Sequence, residues 1–329
     1  MRCASLRLPG HPDAACDLVA EAIVDEYLDR DPETRIRVDV VGGHGALFVS
    51  GEVRSSADVD VAAVVRRVLG KIGSGSEIEP FISLESVSSG LSAISSAGMA
   101  VPLTVIGYAC SETPERLPLP VALTIRLAKQ LQAYRETDEQ GFWLGPDAEC
   151  AIILKQNAMP QIILNVEHGT IDIADVRSRL SNVISSVIPG TRSRVNDLGP
   201  VERRGLAKST GGSGRHGDIY GTLMPSTLSV AGLDPHHPLK AGAWLARAAA
   251  RELVGKGANA ALVQLTYEPG RAEPLTMIAR DEKGKRLDAQ LDPKKLYLDR
   301  VMRDWWRKDL NQDAIRWGLA GDAALPWEA

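Results

Sequence analysis

Residues 36–53 read IRVDVVGGHGALFVSGEV, and a run from Asp58 to Ile72 follows them. Ile36 to Val41 and Ala46 to Val53 read as strands joined at Gly42-Gly43-His44-Gly45, a hairpin. In the following run Val61, Val64, Val65, Val68 and Ile72 share one helical face. The same order recurs downstream. Glu149 to Lys155 and Gln161 to Glu167 make a second hairpin turning at Asn157-Ala158-Met159-Pro160, and a helix from Asp172 to Ile188 succeeds it. A third hairpin, from Ala260 to Tyr267 and from Leu275 to Arg280, is followed by a helix from Pro293 to Lys308. These hairpin–helix units, at about 36–72, 149–188 and 260–308, share no sequence identity, so the repeat is one of organisation. They predict an α+β chain of three similar units, each a sheet half-covered by helices.

Between the units, further helices are expected over Pro12 to Arg30, Pro120 to Arg135 and Leu239 to Gly255, with a strand over Leu103 to Ala109. Residues 73–100 and 197–237 are rich in Gly and Ser and read as loops. The chain has 329 residues, 44% hydrophobic and 24% charged, enough to bury a core without disulfides. A net charge of −4 argues against a general nucleic-acid binder. No apolar run reaches the ~20 residues that span a bilayer, and no signal segment opens the chain, so no membrane partner and a cytoplasmic location are expected. Cys3, Cys16, Cys110 and Cys150 are widely spaced, form no ligand cluster and read as reduced thiols.

Gly10-His11-Pro12-Asp13, at the start of the first helix, resembles the GHPDK motif of S-adenosylmethionine synthetases. Further matches run in family order. Val49-Ser50-Gly51-Glu52-Val53 looks like VGGEI, and Gly107-Tyr108-Ala109-Cys110-Ser111-Glu112-Thr113 like GYATNET. Trp143-Leu144-Gly145-Pro146-Asp147-Ala148 is similar to WLRPDAK, and Asp218-Ile219-Tyr220-Gly221 to DTYGG. Tyr267 with Ala272-Glu273-Pro274 looks like the YxxGxAEP pair, and Pro326-Trp327-Glu328 matches PWE. The resemblance implies a pseudo-threefold fold of three interleaved subdomains with mixed or antiparallel sheets, and a homodimer packed sheet on sheet with active sites at its interface.

By the same resemblance, His11 is the catalytic histidine, Asp13 and Asp218 bind Mg²⁺, and Glu52 serves a monovalent cation. The chemistry explains the residue types. Sulfur attacks the ribose 5′ carbon of ATP and expels triphosphate, so metal, cations and a donor at the bridging oxygen are needed. Much of this apparatus is replaced. The GHPDK lysine is Ala14, the PDAK lysine is Glu149, and the GDQG aspartate is gone around Val101-Pro102-Leu103. The methionine-holding glutamate falls on Ala62 or Ala63, and a further family aspartate becomes Arg203. Meanwhile Arg203, Arg204, Lys208, Arg215, His216, His236, His237 and Lys240 crowd one stretch. Of these, Arg203, Lys208, Arg215, His216 and Lys240 are expected to bind an anionic or nucleotide ligand. The expectation is a divergent transferase that takes ATP, S-adenosylmethionine or a related nucleoside, with ordinary synthesis weak or absent. The alternatives are a non-catalytic regulatory paralogue and an enzyme acting on S-adenosylmethionine itself.

Overall fold

A computed structural model describes residues 1–73, 78–87, 101–137, 141–202, 204–215, 219–220, 224 and 230–329. Three sheets are each built on one antiparallel hairpin. The first hairpin is β2 (Arg35–Gly43) with β3 (Ala46–Arg54). It closes through His44 and Gly45, whose φ values of 53° and 91° give the paired left-handed turn that suits strand twist. Helix α2 (Val61–Ile72) then returns the chain so that β4 (Glu79–Ser86) lies parallel to β3. Asp60 caps α2 by accepting the Ala63 N–H, and Gly73 at φ 92° ends it. The strand β4 falls inside the stretch 73–100 that was expected to be loop.

The second hairpin repeats the plan. Strands β6 (Ala148–Leu154) and β7 (Gln161–Val166) lead to α4 (Ile173–Val187), which returns β8 (Arg192–Val195) parallel to β7. The third hairpin, β10 (Ala260–Tyr267) with β11 (Thr276–Asp281), departs from it. No continuous helix covers 293–308; a 3₁₀ turn at Pro293–Leu296 and one wide turn at Val301–Trp305 precede the short α6 (Leu310–Arg316).

A long helix precedes each hairpin: α1 (Pro12–Arg30), α3 (Leu119–Thr137) and α5 (Pro238–Gly255). The strand ahead of each long helix joins a different sheet. β1 (Arg2–Arg7) pairs with β6, β5 (Leu103–Cys110) with β10, and the two-residue β9 (Gly211–Gly212) with β2. Each unit thus lends its leading strand to the next sheet, always antiparallel to the first strand of that hairpin. The cyclic exchange is a pseudo-threefold arrangement, and it interleaves the units so that none carries a complete sheet. Each sheet lays one face on its own apolar core.

Helix α1 sits where these layers meet, with fifteen of its nineteen residues buried, so each buried polar side chain on it needs a partner. Asp13, Asp17, Glu21 and Asp25 recur every four residues and form one buried acidic row. Together they draw three segments onto the helix, the 211–214 stretch, α5 and α6. Asp13 accepts the Gly212 N–H at 3.0 Å and Asp17 the Gly214 N–H at 2.8 Å. Glu21 Oε2 lies 2.6 Å from Lys240 Nζ on α5. Asp25 accepts the Asn311 Nδ2–H at 2.8 Å and the Gln312 N–H at 3.0 Å on α6.

Candidate functional site

His11 is the N-cap of α1, with Pro12 at the first helical position. Its Nδ1 accepts the Asp13 N–H at 3.2 Å. A ring that accepts at Nδ1 carries a proton on Nε2, which makes that nitrogen a donor at the helix N-terminus. Directly above lies β9. A Cβ at Gly211 would come within 2.3 Å of the Pro12 carbonyl carbon, so only glycine lets this strand approach the first turn. A Cβ at Gly212 would lie 2.9 Å from Arg215 Nε, which places the Arg215 guanidinium over the same strand.

Asp13 is engaged on both oxygens. Oδ1 takes the Gly212 N–H, and Oδ2 lies 3.1 Å from Arg7 Nη1. Arg7 also reaches Glu149 Oε1 through Nε at 3.4 Å. Arg7 and Glu149 are direct cross-strand neighbours on β1 and β6, and both point away from the core that holds Ala4 and Leu6. The cluster of His11, Asp13, Arg7, Glu149 and Arg215 therefore opens on the sheet faces that no described helix covers. Arg7 was not singled out from sequence. Its signal was there in the reversal at Glu149, which calls for a compensating cation nearby.

The remaining expected residues scatter. Glu52 pairs with Arg37 across β2 and β3 and lines a shallow groove of about 370 Å³ with Asp39, Ser50, Ser83 and Glu85. Gly212 pairs with Val41, four residues from Arg37 and thus roughly 13 Å along the strand, so within one chain Glu52 does not meet Asp13. Lys208 is exposed. Lys240, expected to bind ligand, is fully buried between Glu21 and the Leu233 carbonyl oxygen, 2.7 Å away, and ties α5 to α1 instead. Arg204 lies 3.3 Å from the buried Asp147. His237 caps α5, accepting the Leu239 N–H at 3.1 Å, and His236 Nε2 is 2.9 Å from the Pro32 carbonyl oxygen. The basic stretch is thus no single patch: burial turns several of its members into structural ties. Arg203, His216 and Asp218 lie outside the described residues.

The Mg²⁺ implied by the resemblance does not fit Asp13 as it stands. Both carboxylate oxygens face N–H donors, and no group of three His, Cys, Asp or Glu side chains gathers to hold a metal among the described residues. A divalent ion on Oδ2 would sit against the Arg7 guanidinium. At ~4 Å and an effective dielectric of ~20, charges of two and one repel by about 8 kcal/mol.

Comparison with known proteins gives a consistent result. Residues 6–91 match the family model described as S-adenosylmethionine synthetase, N-terminal domain, and residues 102–199 match its central domain. A protein of Synechococcus sp. (strain CC9902) named S-adenosylmethionine synthase is 29% identical over 327 residues, covering 82% of this chain and 78% of that protein. The protein of the same name from Aquifex aeolicus (strain VF5) is 27% identical over 369 residues, covering 100% of this chain and 96% of its own. The one from Deinococcus radiodurans is 29% identical over 321 residues, covering 82% of this chain and 78% of its own.

Proposed function

Because the chain belongs to the S-adenosylmethionine synthetase family, we propose that it is a divergent transferase of that family with an altered substrate. It binds an adenosyl or nucleotide ligand where two copies meet, and its synthesis of S-adenosylmethionine from ATP and methionine is weak or absent. The observation that carries this reading is the Arg7 bridge between Asp13 and Glu149. A triphosphate leaving group carries several negative charges, and its departure needs cations aimed at it. Here one cation of the cluster is already committed to two carboxylates, and a carboxylate stands where the PDAK lysine is expected. His11 keeps the geometry of a donor at a helix N-terminus, which favours retained chemistry on an oxygen of the ligand.

Homodimerisation through the uncovered sheet faces belongs to the same reading, since the His11 cluster opens there. No disulfide joins Cys3, Cys16, Cys110 or Cys150, which suits a reducing cytoplasm. No helix among the described residues is long and apolar enough to cross a membrane.

A second reading, a paralogue that binds ligand without turnover, draws on the same closure of Asp13 by Gly212 and Arg7. Turnover with ATP and methionine, measured beside a thermal-shift panel of ATP, S-adenosylmethionine, S-adenosylhomocysteine and methionine, tests the substrate and ligand claims that the two readings share. At 100 times its dissociation constant a bound ligand adds about 2.7 kcal/mol of stability. The expected outcome is stabilisation by an adenosyl compound with turnover well below about 1 s⁻¹. Ordinary turnover would overturn the altered-substrate reading, and stabilisation by none of the panel would overturn the ligand class.

A further inference from the structure

We propose that Arg7 is the resident cation of this site: its guanidinium holds Asp13 in the place where the resemblance would set a divalent metal, so the adenosyl ligand is bound without one. The claim about the ligand rests on the function proposed above; the claim about Arg7 and Asp13 does not. Three observations support it. Arg7 Nη1 lies 3.1 Å from Asp13 Oδ2, within charge-assisted hydrogen-bond range. The other oxygen of Asp13 accepts the Gly212 N–H, so each oxygen of the carboxylate already faces a donor. Glu149 accepts from Arg7 Nε at 3.4 Å, so the guanidinium is oriented between two acids rather than swinging in solvent. The register explains how the replacement is built. Arg7 and Glu149 stand opposite each other on adjacent strands. A carboxylate at position 149 therefore holds the new cation in place, where a lysine there would repel it.

A guanidinium and a divalent ion differ in what they offer a ligand. The metal accepts phosphate oxygens directly into its coordination shell, whereas Arg7 offers planar N–H donors and a single charge, two of its nitrogens already facing acids. Among the described residues of this cluster Asp13 and Glu149 balance Arg7 and Arg215, which suits a ligand of small net charge, such as a nucleoside or a sulfonium nucleoside, rather than a metal-chelated triphosphate.

The test uses Mn²⁺ as a paramagnetic probe and reads bound ion by electron paramagnetic resonance, with no ligand present. Wild-type protein should show no Mn²⁺ site that Asp13→Asn removes. Arg7→Met keeps much of the side-chain length and removes the charge; it should gain a Mn²⁺ site at least about tenfold tighter than any in the wild type, as the repulsion is relieved. Adding Asp13→Asn to Arg7→Met should abolish that gain. An Asp13-dependent Mn²⁺ site in the wild type would overturn the proposal, as would a folded Arg7→Met protein with no gain. The wild-type titration alone still decides the matter if Arg7→Met does not fold. Alongside, S-adenosylmethionine and ATP are titrated calorimetrically in EDTA and in Mg²⁺. Equal affinity in both is expected for whichever binds, and dependence on Mg²⁺ would overturn metal-free binding. If neither probe binds under either condition, the ligand reading fails while the Mn²⁺ result still judges Arg7.

Discussion

Asp17, one turn along α1 from Asp13, shows how much a single buried carboxylate can govern. Burial pushes its pKa up to about 7, with nearby Asp13 adding to the rise and the Gly214 N–H and Arg7 opposing it. The folded state therefore holds this proton more tightly than the unfolded chain, whose value stays near 3.8. Well below pH 4 both states are protonated and the group costs nothing. As pH rises from about 4 to 7 the unfolded chain ionises first and stability falls; above about 7 the penalty is complete and constant. Asp17→Asn can still accept the Gly214 N–H but cannot ionise. It is expected to raise stability at pH 8 by up to about 4 kcal/mol, the free energy of a shift of three units, and to change it little at pH 4. Urea denaturation at the two pH values checks this, and a destabilised Asp17→Asn protein at pH 8 would refute it. None of this was legible from sequence, where Asp17 reads as an ordinary acidic residue in a first turn. Its environment is set by the Gly211 to Gly214 segment, nearly two hundred residues away.

Among the elements, those with a local signature were legible and those defined by distant partners were not. The three hairpins and the helices α1 to α5 follow from local periodicity, turn residues and caps, and each lies within about three residues of its expected bounds. Strand β1 is short and carries Arg2, Ser5 and Arg7, and only its pairing with β6 about 140 residues later makes it a strand. Strand β4 has Ser83 and Glu85 on an exposed face and lies in a Ser-rich stretch, so composition hid it. Strand β9 is two glycines, chosen for close approach and not for β propensity. The candidate site inherits this limit. His11 and Asp13 were legible through their motif, while Arg7 depended on β1 and the structural use of Lys240 depended on how deeply α1 is buried.

That burial makes the α1–α5 contact testable as a unit. Lys240 and Glu21 are both fully buried, 2.6 Å apart. Burial raises the Glu21 pKa and Lys240 opposes the rise. Lys240→Met should cost roughly 3–5 kcal/mol, because it strands a carboxylate in the core. Adding Glu21→Leu removes the stranded charge and should recover most of the loss, since hydrophobic replacement of a buried pair is often neutral. Chemical denaturation of the two variants reads the difference; a double variant as unstable as the single one would show that the pair is needed for more than charge balance.

At the scale of the whole molecule, helices cover one face of each sheet and no described helix covers the opposite faces. On the first sheet Val41, Phe48 and Phe81 are 42%, 52% and 50% exposed, and the Phe48 and Phe81 rings stack with centroids 5.0 Å apart. Paired strands place both rings on the face opposite the core that holds Leu47 and Val49. Along the same face the surface turns polar towards Arg37, Asp39, Glu52 and Glu85. Apolar aromatic surface of this kind, rimmed by charge, marks an interaction surface. The cluster around His11 opens on the uncovered side as well, so association would both bury the aromatic pair and close the site. A stable homodimer is expected at micromolar concentration, burying more than about 2,000 Å² in all. Replacing Phe48 and Phe81 together by Glu sets like charges on a face that meets its own copy. Because both side chains lie outside the core, the fold should survive while association is lost. Sedimentation velocity should then show a dimer for the wild type and a monomer for the Phe48→Glu, Phe81→Glu protein, with unchanged far-ultraviolet circular dichroism. A monomeric wild type at about 10 μM would remove this face from the function, because the affinity would then be too weak to complete a site between two copies.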